Sequence, residues 1–143
     1  MNKKIKKILL KKNKSKIVSL TAYSKNITKI LDKYVDIVLV GDSMANVLYG
    51  HKNTYKISLE NIIQHTLSVK MGIKKSLLTV DMPKGSYSSI KNALKNVKLV
   101  IKKTGCDAVK LENYKDNHKI IEALVKKKIP VMGHIGYTPQ FKK

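Results

Sequence analysis

The feature that most limits how this chain can fold is a repeated switch of hydrophobic period. Short apolar runs alternate with segments whose apolar residues recur every three or four positions. Residues 16–23 (KIVSLTAY), 36–41 (DIVLVG), 76–81 (SLLTVD), 108–112 (AVKLE) and 129–135 (IPVMGHI) read as strands. Between them run four helical stripes: Ile27, Ile30, Leu31 and Tyr34; Leu59, Ile62, Ile63, Thr66 and Leu67; Ile90, Leu94, Val97 and Ile101; and Ile120, Ile121, Leu124 and Val125. Ser58 and Asp116 are placed to cap helices, Gly105 to end one, and Thr138-Pro139 to begin another. Apolar strands alternating with helices predict an α/β fold with a parallel sheet.

Composition narrows the functional classes. The 143 residues hold 30 basic and 9 acidic side chains, a net charge of +21. Every basic residue is Lys, and no Arg is present to make bidentate contacts to bases or phosphates. With one Phe and no Trp, stacking platforms are also scarce. A specific nucleic-acid reader is therefore the weaker reading, and the lysine excess, with abundant Asn and Ile, is the mark of an AT-rich coding bias. A Lys-rich nucleic-acid-binding protein stays as an alternative. The single cysteine, Cys106, excludes an internal disulfide, and one Cys with four scattered His residues does not support a structural zinc site. No apolar run reaches the ~18 residues of a membrane span. The apolar part of the N-terminus is only Ile8-Leu9-Leu10, so no secretory signal is expected and the location is read as cytoplasmic. Residues 1–15 form a basic leader, with Ile5, Ile8 and Leu9 at helical spacing, and residues 16–143 carry the domain.

Parallel α/β folds gather function at the carboxyl ends of their strands. Those ends carry Tyr23, Asp42-Ser43, Asp81, Lys110 with Glu112, and His134. Three consecutive strands finish in a carboxylate. Like charges at one rim repel unless a cation neutralises them, and a hard divalent ion such as Mg²⁺ meets that need. Ordinary readings stand beside this one. Asp42 and Asp81 each suit a turn, Lys110 and Glu112 lie on one face and could pair, and His134 could be a core imidazole. His51, His65, His118 and Cys106 have no spacing that suggests chemistry, and no nucleophile elbow, P-loop or dinucleotide fingerprint is present.

The stretches LTAY at 20–23, VLVGDS at 38–43, HT at 65–66, DMPKGSY at 81–87, DAVKLE at 107–112 and IPVMGHIGYTPQ at 129–140 resemble the ketopantoate hydroxymethyltransferases. The resemblance implies a (β/α)8 TIM barrel, of which this chain supplies about five βα units. It implies transfer of a hydroxymethyl group from methylenetetrahydrofolate to 3-methyl-2-oxobutanoate in pantothenate and coenzyme A synthesis. Asp42, Asp81 and Glu112 would hold Mg²⁺, and Asp42, Ser43, Asp81 and Lys110 the oxo acid, with His134 beside it.

The chain departs from the family pattern at Ser24, where an acidic residue is usual, at Lys84, usually apolar, and at Asn113 and Tyr114, usually glycines. The family's catalytic base, a glutamate, falls in the part not represented, so no residue here is assigned that role; Glu60 and Glu122 lie on helical stripes. Three origins compete: a fragment of a longer frame, one half of a split enzyme completed by a second polypeptide, or an inactive product that acts as an interaction partner. A complete barrel would form a homo-oligomer, as the family does.

Overall fold

A computed structural model describes residues 2–141. In chain order it contains α1 (Lys3–Leu10), β1 (Ser19–Thr21), α2 (Lys25–Leu31), β2 (Ile37–Val40), α3 (Met44–Val47), a 3₁₀ turn (Thr54–Lys56), α4 (Leu59–Lys70), β3 (Leu77–Asp81), α5 (Ile90–Thr104), β4 (Ala108–Glu112), α6 (Asn117–Lys126) and β5 (Val131–His134). The five strands form one sheet in sequential order, every neighbour pair parallel. No helix among the described residues is long and apolar enough to cross a membrane.

Local signals set most boundaries. Ser58 accepts from Asn61 N while the Asn61 side chain accepts from Ser58 N, a reciprocal cap that starts α4. Ser89 caps α5, and Gly105 ends it at φ +61°, the left-handed conformation glycine adopts without strain. Asp116 precedes α6 but makes no capping bond; its carboxylate pairs with Lys119 at 3.0 Å instead. The first strand is shorter than the apolar run suggests, because an edge strand has a ladder on one side only. The helix start expected at Thr138-Pro139 appears as a turn closed by Phe141 N–H donating to Thr138 C=O at 3.0 Å.

Side chains alternate across each strand, and the two faces have different partners. Val38, Val40, Leu78, Val80, Val109 and Leu111 are buried in one cluster with Ile62, Ile63, Val69, Ala93, Val97, Val100, Ile120 and Leu124 from the covering helices. Each fully buried branched side chain contributes about 2 kcal/mol, so this layer holds the fold together. On the other face, Ile37, Leu77, Ala108 and Met132 meet Ile5 and Ile8 of α1. That helix thus lies under the amino-terminal ends of four strands. It is fastened there by Lys4 Nζ donating to Ser76 C=O at 2.8 Å and by the 2.7 Å Lys11–Asp36 ion pair.

Three carboxylates tie down this amino-terminal end through backbone donors. Asp36 accepts from Val18 N and Asp107 from Leu78 N, each at 3.0 Å. Asp32 accepts from Lys74 N, Lys75 N and Ser76 N at 2.8–3.1 Å. Burial alone would push the Asp32 carboxyl up, but these donors outweigh it and hold the carboxyl below its ordinary range. Asp32→Ala strands those three amides and is expected to cost about 3 kcal/mol in urea unfolding at pH 7. The deficit should shrink as the pH falls through the low folded-state pKa of Asp32, where wild type also loses the carboxylate.

Candidate active site

The strand register sets the site. Asp81 is level with Lys110 across the β3–β4 pair, and Glu112 is level with His134 across β4–β5. Asp81, Lys110 and Glu112 share the face on which Ile37, Leu77 and Ala108 meet α1, two or four residues further toward the carboxyl end of their strands. Asp42 and Ser43 follow β2 at the same rim. The backbone N–H of Asp42 donates to Asp81 Oδ2 at 3.2 Å, and Lys110 Nζ lies 2.6 Å from Asp81 Oδ1. The lysine thus pairs across strands with Asp81 and not, as the two-residue spacing allowed, with Glu112. Tyr23, at the end of β1, bonds Ser43 Oγ at 2.8 Å. Gly41 permits the crowding: a Cβ there would sit 2.9 Å from Ser43 Oγ and 3.4 Å from Asp81 Oδ2.

The carboxylates are almost wholly out of solvent, at 5% exposure for Asp42, 3% for Asp81 and 1% for Glu112. Burial pushes Asp81 up to about 6, against the Lys110 charge and reinforced by that of Asp42. It pushes Glu112 up to about 7, opposed by a hydrogen bond from Gln140 N and by Lys110, and reinforced by Asp42 and Asp81. Burial and the Lys110 charge depress His134 below its usual value. Its Nδ1 lies 3.5 Å from Glu112 Oε1 without hydrogen-bond geometry, so this buried ring nitrogen has no partner among the described residues.

Two residues that the sequence reading did not select complete the arrangement. Gln140, 1% exposed, donates from its side chain to Asp42 Oδ2 at 2.8 Å and from its backbone to Glu112 Oε2 at 3.0 Å. Tyr87 OH donates to the Gln140 side-chain carbonyl. Their only sequence signal is membership of the DMPKGSY and GHIGYTPQ stretches. Of the remaining histidines, His65 backs the site through Tyr23 and His51 stacks on Tyr49. His65 joins Tyr49 OH at 2.9 Å to the Tyr23 carbonyl at 2.8 Å, while His118 is exposed. Glu60 and Glu122 are exposed on helices and pair with Lys103 and Lys126. A hollow of about 230 Å³ at the opposite end of the sheet is lined by Lys4, Lys7, Lys11, Lys33 and Lys75 together with Asp32, Asp36 and Ser76, whose polar groups are bonded into the fold there.

Among the described residues, no three His, Cys, Asp or Glu side chains form a group that could by themselves hold a metal ion. The reason is visible in the bonding: Asp81 is occupied by Lys110, and Gln140 stands between Asp42 and Glu112. The donor chemistry nonetheless suits magnesium. The candidates are all oxygen, their charge is under-compensated, and Mg²⁺ binds through one or two carboxylates while keeping water and substrate oxygens.

A model of the ketopantoate hydroxymethyltransferase family matches residues 2–143. The chain belongs to that family. It is 56% identical over 140 residues to the 3-methyl-2-oxobutanoate hydroxymethyltransferase of Pelagibacter ubique, covering 98% of this chain and 54% of that one. For the enzyme of the same name from Campylobacter fetus, identity is 46% over 134 residues, covering 93% and 50%. The chain thus spans about half the length of the curated relatives it matches. Among solved structures, a phosphonopyruvate hydrolase in complex with oxalate and Mg²⁺ matches with a TM-score of 0.73 at 12% identity, over 93% of this chain and 52% of that one. A 2,3-dimethylmalate lyase of the PEP mutase/isocitrate lyase superfamily matches with a TM-score of 0.64 at 11% identity. These likenesses establish the fold: the chain is of the TIM-barrel type and amounts to about half of such a barrel.

Because Asp81 and Glu112 titrate higher in the folded chain than their ordinary 3.8 and 4.5, the native state holds more protons than the unfolded chain between those values and about 7. Their contribution to stability is full below about pH 4 and is lost as the pH rises through 6 and 7. With EDTA present, Glu112→Gln is expected to flatten the upper part of that decline. It should gain on the order of 2 kcal/mol at pH 8 relative to wild type in denaturant titrations.

Proposed function

We propose that this chain forms the metal- and oxo-acid-binding half of a cytoplasmic 3-methyl-2-oxobutanoate hydroxymethyltransferase, with methylenetetrahydrofolate as the one-carbon donor. The observation that carries this reading is the burial of Asp42, Asp81 and Glu112 together, with the part-buried Lys110 paired to Asp81, at the carboxyl rim of a member of this family. The remaining strands of the barrel, in the same or a second polypeptide, would pair with β1 and β5. Homo-oligomer formation belongs to that completed state.

The reaction needs a carbon next to a ketone to lose a proton and then attack the folate-borne methylene carbon, with tetrahydrofolate leaving and water supplying the hydroxyl oxygen. Asp42, Asp81 and Glu112 would hold Mg²⁺; when bound, the ion supplies polarisation of the substrate's keto oxygen. Lys110 neutralises the substrate carboxylate, a role that suits a lysine already seated among acidic groups. The Ser43 hydroxyl, oriented by Tyr23, hydrogen-bonds a substrate oxygen and fixes its approach. His134, held neutral, leaves its unpartnered Nδ1 available to the same ligand. Tyr87, Tyr114 and Phe141 wall this end of the site and exclude water: Phe141 stacks on Tyr114 at 5.0 Å between ring centres and meets Tyr87 edge-on at 6.3 Å. The proton acceptor is assigned to the part of the longer relatives that this chain does not span.

Calorimetric titration tests the reading. 3-Methyl-2-oxobutanoate is expected to bind the chain when Mg²⁺ is present and to lose most of its affinity with EDTA. Asp42→Ala and Asp81→Ala should each weaken the Mg²⁺-dependent part at least tenfold. Lys110→Ala should weaken binding of the oxo acid more than that of the metal. Equal affinity in wild type and both aspartate variants would refute the assignment.

A further inference from the structure

We propose that Tyr87 and Gln140 act as a coupled positioning pair, in which the tyrosine hydroxyl locks the glutamine amide and the glutamine thereby aims Asp42 and Glu112 into one site. The inference deepens the metal and oxo-acid reading and rests on it only for what the two carboxylates are aimed at.

The argument begins with the hydrogen-bonding capacity of a buried amide. A glutamine side chain has two N–H donors and one carbonyl acceptor, and in an interior each must be satisfied. Here Nε2 donates to Asp42 Oδ2 at 2.8 Å and to the Met82 carbonyl at 3.0 Å, while Oε1 accepts from Tyr87 OH. The reverse orientation would turn Oε1 toward two acceptors, one of them a backbone carbonyl that cannot donate. The amide therefore has one chemically allowed setting, and among the described residues the Tyr87 hydroxyl is the donor on its carbonyl side.

The second step is what that setting fixes. Asp42 follows β2, Glu112 ends β4, and no strand ladder joins them. Gln140 reaches both, through its side chain to Asp42 and through its backbone N–H to Glu112 Oε2 at 3.0 Å. One oxygen of each carboxylate is thereby held from the same residue. The third carboxylate is tied in through the Asp42 backbone N–H on Asp81 Oδ2. Aromatic packing keeps the pair dry: Tyr87 is 3% exposed, with Phe141 against its ring. Water thus does not compete for the amide, and the bond keeps its low-dielectric strength. Groups that orient first-contact carboxylates in this way typically change metal affinity by ten- to a hundredfold when removed.

Tyr87→Phe separates positioning from packing, since it keeps the ring and removes only the hydroxyl. Gln140→Leu removes the amide at similar volume. The test uses the full 143-residue chain with carbon-13-labelled aspartate, following the Asp42 side-chain carboxyl resonance by NMR, and Mn²⁺ as the probe, with free ion counted by EPR. Tyr87→Phe is expected to move the Asp42 resonance while leaving those of Asp36 and Asp107 in place, and to weaken Mn²⁺ binding by about tenfold. Gln140→Leu should do at least as much, and the double variant no more than Gln140→Leu alone, because both act through one bond. An unmoved Asp42 resonance with unchanged Mn²⁺ affinity in Tyr87→Phe would overturn the pairing, as would effects that simply add in the double variant, even if both variants melted earlier. A wild-type chain that binds no Mn²⁺, but whose Asp42 resonance moves in Tyr87→Phe, would overturn the metal reading of the rim and sustain the positioning of Asp42.

Discussion

The structure depends on a constraint that parallel strands impose on charge. Residues at alternate positions face the same way, so a strand that places an apolar residue over α1 at its start commits every second residue after it to the same side. Ala108 does this for Lys110 and Glu112, and Leu77 for Thr79 and Asp81. Once the register aligns neighbouring strands, Asp81 comes level with Lys110 and Glu112 with His134, and the carboxylates gather at one rim whatever their mutual repulsion. Folding therefore assembles the site at an electrostatic cost, and the raised pKa values of Asp81 and Glu112 are the trace of that cost. Lys110 and Gln140 offset part of it, one with a charge and the other with two neutral donors.

Six of the nine acidic residues divide by the end of the sheet they occupy. Asp32, Asp36 and Asp107 sit at amino-terminal ends, accept backbone N–H groups and serve the fold. Asp42, Asp81 and Glu112 sit at carboxyl ends among other ionisable side chains. The same residue type thus has opposite thermodynamic character at the two ends of one sheet. At the amino end it is held ionised by donors, as at Asp32 and Asp36, and at the carboxyl end Asp81 and Glu112 are pressed toward the protonated form.

This division also explains what the sequence could disclose. The strands, the four helices between them, the Ser58 and Gly105 boundaries and the strand-end positions of the rim residues were legible because periodicity, capping and strand-end position are local properties, although Ile27, Ile30 and Tyr34 of the first stripe are exposed. The short helix at Met44–Val47 was not, since four residues carry no readable period. Asp116 looked like a cap, but Lys119 three residues on competes for its carboxylate. Lys110 could be placed on the same face as Glu112, yet its partner Asp81 lies 29 residues away and depends on the register between strands. Gln140 and Tyr87 are 53 positions apart, and nothing about a glutamine after a proline announces that it will be buried against two carboxylates.

The helix at the start of the chain has a consequence for the order of assembly. Each strand pairs with its predecessor, so the sheet can lengthen in step with synthesis, each new unit docking on the last as it leaves the ribosome. The contacts of α1 run against that order. Ile5 and Ile8 precede every strand, but the apolar surface they seal includes Met132 and is whole only when the fifth strand has been made. A segment that precedes all five strands therefore cannot finish docking until the fifth is made, and until then its apolar face stays open to water and to chaperones.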